Sequence, residues 1–404
     1  MQVITDKDKI DEILSRSIDS IYPSKDSLRE LLFSGKRITI YVGIDPTADY
    51  VHLGHSTNYL ILEKFHKLGH RITVLVGDFT AMIGDPSDKT AMRTQLTKEQ
   101  VSENLHSFKE QIGKILDFSN KENPIEFKFN GEWLSKLDFE EIVKLGSNFT
   151  VQQMLERDMF EKRIIENKPL FVHEFFYPLM QGYDSVALDA DLEIGGTDQT
   201  FNMLAGRTLV KRYLNKEKFV ITTTLLTNPI TGEKLMSKSL GTGVALNDSA
   251  ENMFGKVMAL ADEGMLQMFT DCTRLSVAEI DKLKGRLGQG TNPRDIKLEL
   301  ASEIVSMYHG MEAGATAKAN WEKTFTKKEL PENIPDLIVD KSKPLTDQLI
   351  ECNIISSKSD WRRLIKEGAI RDESDKKISD PDFVPDKTLV LKIGKRRFIR
   401  VVVS

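Results

Sequence analysis

Arg37-Ile38-Thr39-Ile40-Tyr41-Val42-Gly43-Ile44 is an apolar run that stops at a polar loop containing Pro46, and its reading decides the fold. The run predicts a buried strand. Beyond the loop, Ile61, Phe65 and Leu68 recur at i, i+4 and i+7, and Gly69 stands where a helix would be capped. Ile72 to Val76 forms a second apolar run. Strand, helix and strand in this order predict an α/β fold with a parallel sheet, whose ligands bind beyond the carboxyl ends of the strands. The residues after Ile44 are therefore the first place to look for a site.

Working outward, residues 101 to 168 turn helical and charge-rich before an apolar run from Phe171 to Tyr183 that contains Pro178. This predicts a helical insertion, about 101–185, within a sheet domain spanning 1–245. Helical periodicity dominates from Ser249 to about Lys328, with Met253, Val257 and Met258 on one face, and predicts an α-helical domain over 246–330. Pro331, Pro335 and Pro344 mark 331–343 as a linker to a last domain at 344–404. No internal repeat interrupts this plan.

Bulk composition narrows the class. Of 404 residues, 40% are hydrophobic and 29% charged, which is ordinary for a globular chain and excludes fibrous or disordered classes. Only Cys272 and Cys352 are present, without metal-ligand spacing, so neither a disulfide framework nor a zinc cluster is expected. Charged residues break up the first thirty positions and no apolar run approaches membrane-spanning length, so a soluble, unprocessed, cytoplasmic protein is expected, with no membrane partner. The net charge of -5 argues against a general nucleic-acid coat protein. It conceals an asymmetry, because residues 343 to 404 carry 14 Lys and Arg against 10 Asp and Glu. A basic tail on an acidic body suggests a local RNA-binding module.

Two motifs carry chemistry. His52-Leu53-Gly54-His55 opens the first helix, where backbone N–H groups attract phosphate and Gly54 permits close approach. Taken alone it also fits two surface histidines; metal binding lacks a third ligand nearby. Lys234-Leu235-Met236-Ser237-Lys238-Ser239-Leu240-Gly241 follows the turn-rich Asn228 to Gly232. A loop with two lysines and hydroxyls can fold over a triphosphate and neutralise charge as pyrophosphate leaves, although alone it also fits a solvated basic loop.

Together and in this order the motifs resemble the two ATP motifs of class I aminoacyl-tRNA synthetases. Tyr41 to Asp49, Ile83-Gly84-Asp85-Pro86-Ser87, Tyr177 to Asp184 and Gly195-Gly196-Thr197-Asp198-Gln199 are similar to segments of bacterial-type tyrosyl-tRNA synthetases, and the resemblance covers nearly the whole chain. There are two departures. Leu235 stands where the usual loop pattern begins with lysine, with Lys234 one position earlier, and Asp88 stands where the family more often has glycine.

The resemblance implies a Rossmann-like catalytic domain with a mobile phosphate loop at about 232–242, and an ATP-dependent ligase that makes tyrosyl-adenylate and then esterifies tRNA(Tyr). By position it implies that Tyr41 and Asp184 meet the tyrosine phenol, that Asp85, Tyr177 and Gln181 surround its ammonium, and that Gln199 lies near its carboxylate. Gly43, Asp45, Gly54, His55, Thr57, Gly196, Asp198, Met236 and Ser237 are implied on the ATP. Thr47, His52, Lys89, Arg93, Lys234, Lys238 and Ser239 are implied on the phosphates as the catalytic set. ATP with Mg²⁺ is the expected substrate complex, with no tightly held protein metal and a homodimer as the assembly.

In the tail, Ser357 to Gly368 reads as a capped helix with Trp361, Leu364 and Ile365 inward and Lys358, Arg362 and Lys366 as a basic stripe beside Arg363. Leu389 to Val403 reads as a hairpin turning near Gly394 and carrying Lys395, Arg396 and Arg397. Cations on adjoining elements suit RNA phosphates. The segment is similar to an S4-type RNA-binding domain, a small α+β unit. The alternatives are a tryptophanyl enzyme, which would not pair Tyr41 with Asp184, and an RNA-binding protein without catalysis, which would not need the phosphate-directed cations.

Overall fold

The structure is a computed structural model that describes residues 2–85, 96–236, 243–326, 334–340, 343–352, 354–373, 376–394 and 397–403. The chain divides into two compact units, residues 1–311 and 312–404.

The first unit is built on a six-stranded sheet. Its strands are β1 (Ile18–Tyr22), β2 (Thr39–Ile44), β3 (Arg71–Val76), β4 (Glu126–Phe129), β5 (Leu192–Gly196) and β6 (Phe219–Thr223), in the order β1-β6-β5-β2-β3-β4. All pairings are parallel except that of β1 with β6. The predicted strand-helix-strand unit is present as β2, the Leu53–Lys67 helix and β3, and Gly69 after the helix has φ +92°. Ile40, Val42, Val74, Val76, Leu192, Val220 and Ile221 are buried in the sheet, as parallel strands covered on both faces require.

Strand order reverses between β2 and β5, from which the chain runs to opposite edges of the sheet. This is a topological switch point, where a crevice opens beyond the carboxyl ends. Here β2 and β5 pair only through Ile40 with Leu192 and Tyr41 with Glu193, and the two strands are free of each other beyond Tyr41.

Helices fill the rest of this unit, including Ala250–Ala259, Met265–Cys272 and Pro293–His309. Arg16, just before β1, donates to the carbonyls of Thr270 and Thr273 at 2.8 Å each. A buried guanidinium thus satisfies carbonyls at the end of the Met265–Cys272 helix that no intrahelical N–H can reach. It also ties the chain's beginning to the helical segment.

The second unit holds a four-stranded sheet of β7 (Asp336–Val339), β8 (Ile370–Asp372), β9 (Leu389–Ile393) and β10 (Arg397–Val403), in the order β7-β10-β9-β8. The Leu345–Glu351 and Lys358–Lys366 helices add Leu345, Leu349 and Trp361 to its core with Ile370, Leu391 and Val401. Trp361 is buried and donates through Nε1 to the Pro381 carbonyl at 2.9 Å. The expected helix is capped by Ser357, whose side chain accepts from the Asp360 N–H, and the expected hairpin is β9 with β10.

Two boundaries need correction. The 101–185 stretch is not wholly helical, because β4 lies inside it and extends the main sheet beside β3. Nor is 331–343 only a linker, because β7 pairs in parallel with β10 there.

Candidate active site

A cleft of about 610 Å³ lies at the switch point. The chain supplies its walls from both sides of the crevice. After β2 come Asp45, Thr47, His52, Gly54 and His55; from the end of β5 and beyond come Gly196, Asp198 and Gln199. Tyr177, Gln181 and Asp184 enter from the Val172–Ala187 helix at i, i+4 and i+7, which places them on one face.

At the floor, Tyr41 and Asp184 are buried. Asp184 accepts from Trp133 Nε1 at 2.7 Å and from Asn130 Nδ2 at 3.1 Å. A carboxylate has acceptor capacity beyond two donors, so a further hydroxyl can still be received. Burial pushes the Asp184 carboxyl well above its ordinary range, the two donors oppose that, and the charges of Glu193 and Asp45 add to it. The Tyr41 hydroxyl lies 2.7 Å from Ser185 Oγ. Burial, then the charges of Glu193 and Asp184, hold its pKa well above normal, so it stays protonated.

Above the floor, Tyr177 donates to Asp45 Oδ2 at 2.8 Å, and Thr80 Oγ1 donates to Asp45 Oδ1 at 2.7 Å. Gly77 leaves room for this, since a Cβ there would lie 2.0 Å from Asp45 Oδ1. Asp85 is held by Arg157 at 3.0 Å and by Gln199 Nε2 at 2.6 Å. Asn202 donates to Gln199 Oε1 at 2.9 Å, which fixes the Gln199 amide.

At the mouth, the His52 and His55 rings stack with centroids 3.8 Å apart. His52 Nδ1 accepts from the Gly54 N–H at 3.1 Å, and His55 Nδ1 accepts from the His52 N–H at 3.3 Å. With each Nδ1 accepting, the proton of the neutral ring resides on Nε2, and both rings present donors. Lys234 Nζ lies 3.6 Å from Asp198 Oδ2. The neighbouring Leu235 is buried against Gly264, where a Cβ would meet Leu235 Cδ1 at 2.5 Å. The departure from lysine at this position thus has a packing role.

Six residues expected around tyrosine, Tyr41, Asp85, Tyr177, Gln181, Asp184 and Gln199, line this cleft together. Gly43, Asp45, Gly54, His55, Gly196, Asp198 and Met236 line it as well, as do Thr47, His52 and Lys234. Lys89, Arg93, Ser237, Lys238, Ser239, Lys395 and Arg396 lie outside the described residues. Thr57 is corrected: it is buried inside the Leu53–Lys67 helix, and the next residue, Asn58, lines the cleft instead. One residue is about 100° of helix rotation, enough to exchange the cleft face for the core face. Trp133, Asn130 and Arg157 were not anticipated. Asn130 immediately follows β4, so recognising that strand would have pointed to it.

In the second unit, Lys358, Arg362, Arg363 and Lys366 are exposed on their helix. Lys358 pairs with Asp347 at 2.7 Å and Arg363 with Asp360 at 2.7 Å, while Arg397 donates to the Ile354 carbonyl.

The family model of tRNA synthetases class I (W and Y) matches residues 34–326. The chain is 42% identical to the tyrosine–tRNA ligase of Carboxydothermus hydrogenoformans over 97% of both proteins, and 41% identical to that of Haemophilus influenzae over 98% of both. It shares its fold with a C-terminally truncated mitochondrial tyrosyl-tRNA synthetase of Aspergillus nidulans, with a TM-score of 0.67, 24% identity and coverage of 79% of this chain and 95% of that one. With a cleft at the switch point of its sheet, a family model matched over residues 34–326 and relatives at 41–42% identity over 97–98% of its length, this chain belongs to the tyrosine–tRNA ligases of the class I tRNA synthetase family.

Proposed function

We propose that this cleft condenses tyrosine with ATP and that the second unit helps to present tRNA(Tyr) to the product. The carrying observation is Asp184, a buried carboxylate with two fixed donors and acceptor capacity to spare. A phenol hydroxyl satisfies it, whereas a phenyl ring leaves it buried without that partner, at a cost of roughly 1–3 kcal/mol or more for a charged group.

In this reading the tyrosine carboxylate attacks the α-phosphorus of ATP, the bond to the β-phosphate oxygen breaks, and pyrophosphate departs. The nucleophile is already ionised at neutral pH, so positioning and charge neutralisation carry the step. Gln181, Tyr177 and Asp85 seat the ammonium, Asp198 and Gly196 the ribose and adenosine, and Gln199 the carboxylate. His55 joins the ribose and adenosine side, and Thr47, His52 and Lys234 serve the phosphates, a role that Lys89, Arg93, Lys238 and Ser239 share in this reading. Mg²⁺ enters with ATP as part of the substrate. A terminal ribose hydroxyl of tRNA then attacks the tyrosyl carbonyl and AMP leaves.

Residues 344–404 act as an S4-type module on tRNA through Arg362, Lys366 and the β9–β10 hairpin. The assembly is a homodimer. Phe139, Val143, Val151, Ile165 and Val172 support this, as large apolar side chains that are exposed on a single chain. The working compartment is the cytoplasm; no helix among the described residues is long and apolar enough to cross a membrane. The test is ATP–pyrophosphate exchange with each amino acid: stimulation by tyrosine is expected, and stimulation by tryptophan alone overturns the reading.

A further inference from the structure

At the floor of the cleft, which Glu193 helps to line, lies an ion pair to which the proposed reaction assigns no step. Lys218 and Glu193 are both almost wholly buried, and Lys218 Nζ donates to Glu193 Oε2 and, at 3.1 Å, to the Met203 carbonyl. The ammonium sits 5.7 Å from the centre of the Tyr41 ring. Gly206 makes the space, since a Cβ there would lie 2.5 Å from Lys218 Nζ and 2.6 Å from Ser185 Oγ. Stability does not explain such a pair, because desolvating two charges offsets most of their attraction and apolar replacements are often neutral or stabilising. Its hydrogen bonds do lead somewhere. Gln181 Nε2 donates to Glu193 Oε1 at 3.0 Å, Ser185 Oγ donates to Glu193 Oε2 at 3.4 Å, and Ser185 Oγ meets the Tyr41 hydroxyl.

We infer that Glu193 and Lys218 are a positioning pair that fixes which atoms Gln181 and Tyr41 present to the substrate. A carboxylate facing an ammonium only accepts, so every bond to Glu193 has one direction. The Gln181 amide nitrogen is spent on Glu193, which turns its carbonyl oxygen to the cleft, the atom an ammonium requires. The single hydrogen of Ser185 goes to Glu193, so the Tyr41 hydrogen goes to Ser185. Tyr41 then offers the cleft lone pairs only. Beside Asp184 this leaves the floor with acceptors and no donor, so the single hydrogen of a phenol finds a partner there and a phenyl ring has none to give. The inference rests on the reading that tyrosine occupies the cleft.

The test compares Glu193→Gln, Lys218→Met and Ser185→Ala with the wild-type chain, in pyrophosphate exchange with tyrosine and with phenylalanine and in thermal melting. A glutamine at 193 can donate as well as accept and releases both directions. The expected result is a KM for tyrosine raised about tenfold with kcat changed less than about threefold, and a tyrosine-to-phenylalanine ratio of kcat/KM lowered about tenfold. Lys218→Met is expected to do the same by removing the ammonium that Glu193 faces. Ser185→Ala leaves the ion pair in place and so serves even where the charged variants do not fold; it is expected to lower the ratio while sparing the KM effect of Gln181. Variants that melt earlier yet keep the wild-type KM and ratio overturn the positioning role. A wild-type chain inert with tyrosine overturns the reading of the cleft itself.

Discussion

The indole of Trp133 donates to Asp184 Oδ1 at 2.7 Å, joining the segment after β4 to the helix that forms the cleft's far wall. A donor held on a buried carboxylate keeps it from rotating and stabilises its charged form. Trp133→Phe keeps a smaller aromatic ring against Tyr41 and removes the N–H that makes this bond. The expected outcome is a fall of about tenfold or more in tyrosine kcat/KM, the scale of one lost bond to a charged group, with the ATP KM little changed. Pyrophosphate exchange at varied tyrosine and varied ATP reads both.

Gly77→Ala tests the seat of Asp45. The added methyl would lie 2.0 Å from Asp45 Oδ1 and 2.2 Å from Thr80 Oγ1, so the carboxylate must leave Tyr177. Overpacking of this kind costs roughly 1–3 kcal/mol. A melting temperature lowered by several degrees and exchange reduced more than about tenfold are expected; unchanged values of both would show that the Asp45 cluster is not rigid.

Stability should depend on pH through His70. Burial, with the Arg37 charge second, holds its imidazole from the ordinary 6.5 down to about 4. The folded state keeps the ring neutral while the unfolded chain protonates it, so the unfolded chain binds more protons between these values. Stability is therefore complete above about pH 6.5 and is lost as pH falls toward about 4. His70→Gln should flatten this slope in melting curves measured across the window.

Arg362→Ala with Lys366→Ala should weaken tRNA charging and leave pyrophosphate exchange at the wild-type rate. Removing two phosphate contacts should also reduce the salt slope of tRNA binding by roughly two. Filter binding across salt concentrations measures the slope, and an unaltered value would remove this helix from the RNA surface.

How far the sequence could be read follows from how local each signal is. β2, β3 and the helix between them announce themselves because fully buried strands are continuous apolar runs and the helix has its own period. β4 does not, since Glu126-Phe127-Lys128-Phe129 is a short edge strand with two charges and only half-buried phenylalanines. β7 hides for a similar reason, four residues placed beside prolines. Tyr177, Gln181 and Asp184 were reached through the resemblance of their segment and not through periodicity, whereas Thr57 and Asn58 differ by one step of a helix whose phase the motif alone does not set. Arg157 reaches Asp85 across 72 positions of sequence, and no periodicity encodes such a meeting.

The two-residue pairing of β2 with β5 has a consequence for change at this site. The fissure is cut by the parting of two main chains, so its depth does not depend on the side chains that line it. Under the proposed function, trimming or swapping those side chains would alter which amino acid is welcomed at the bottom while leaving the nucleotide's berth near the rim in place. Selectivity and energy supply are thereby separable parts of one groove.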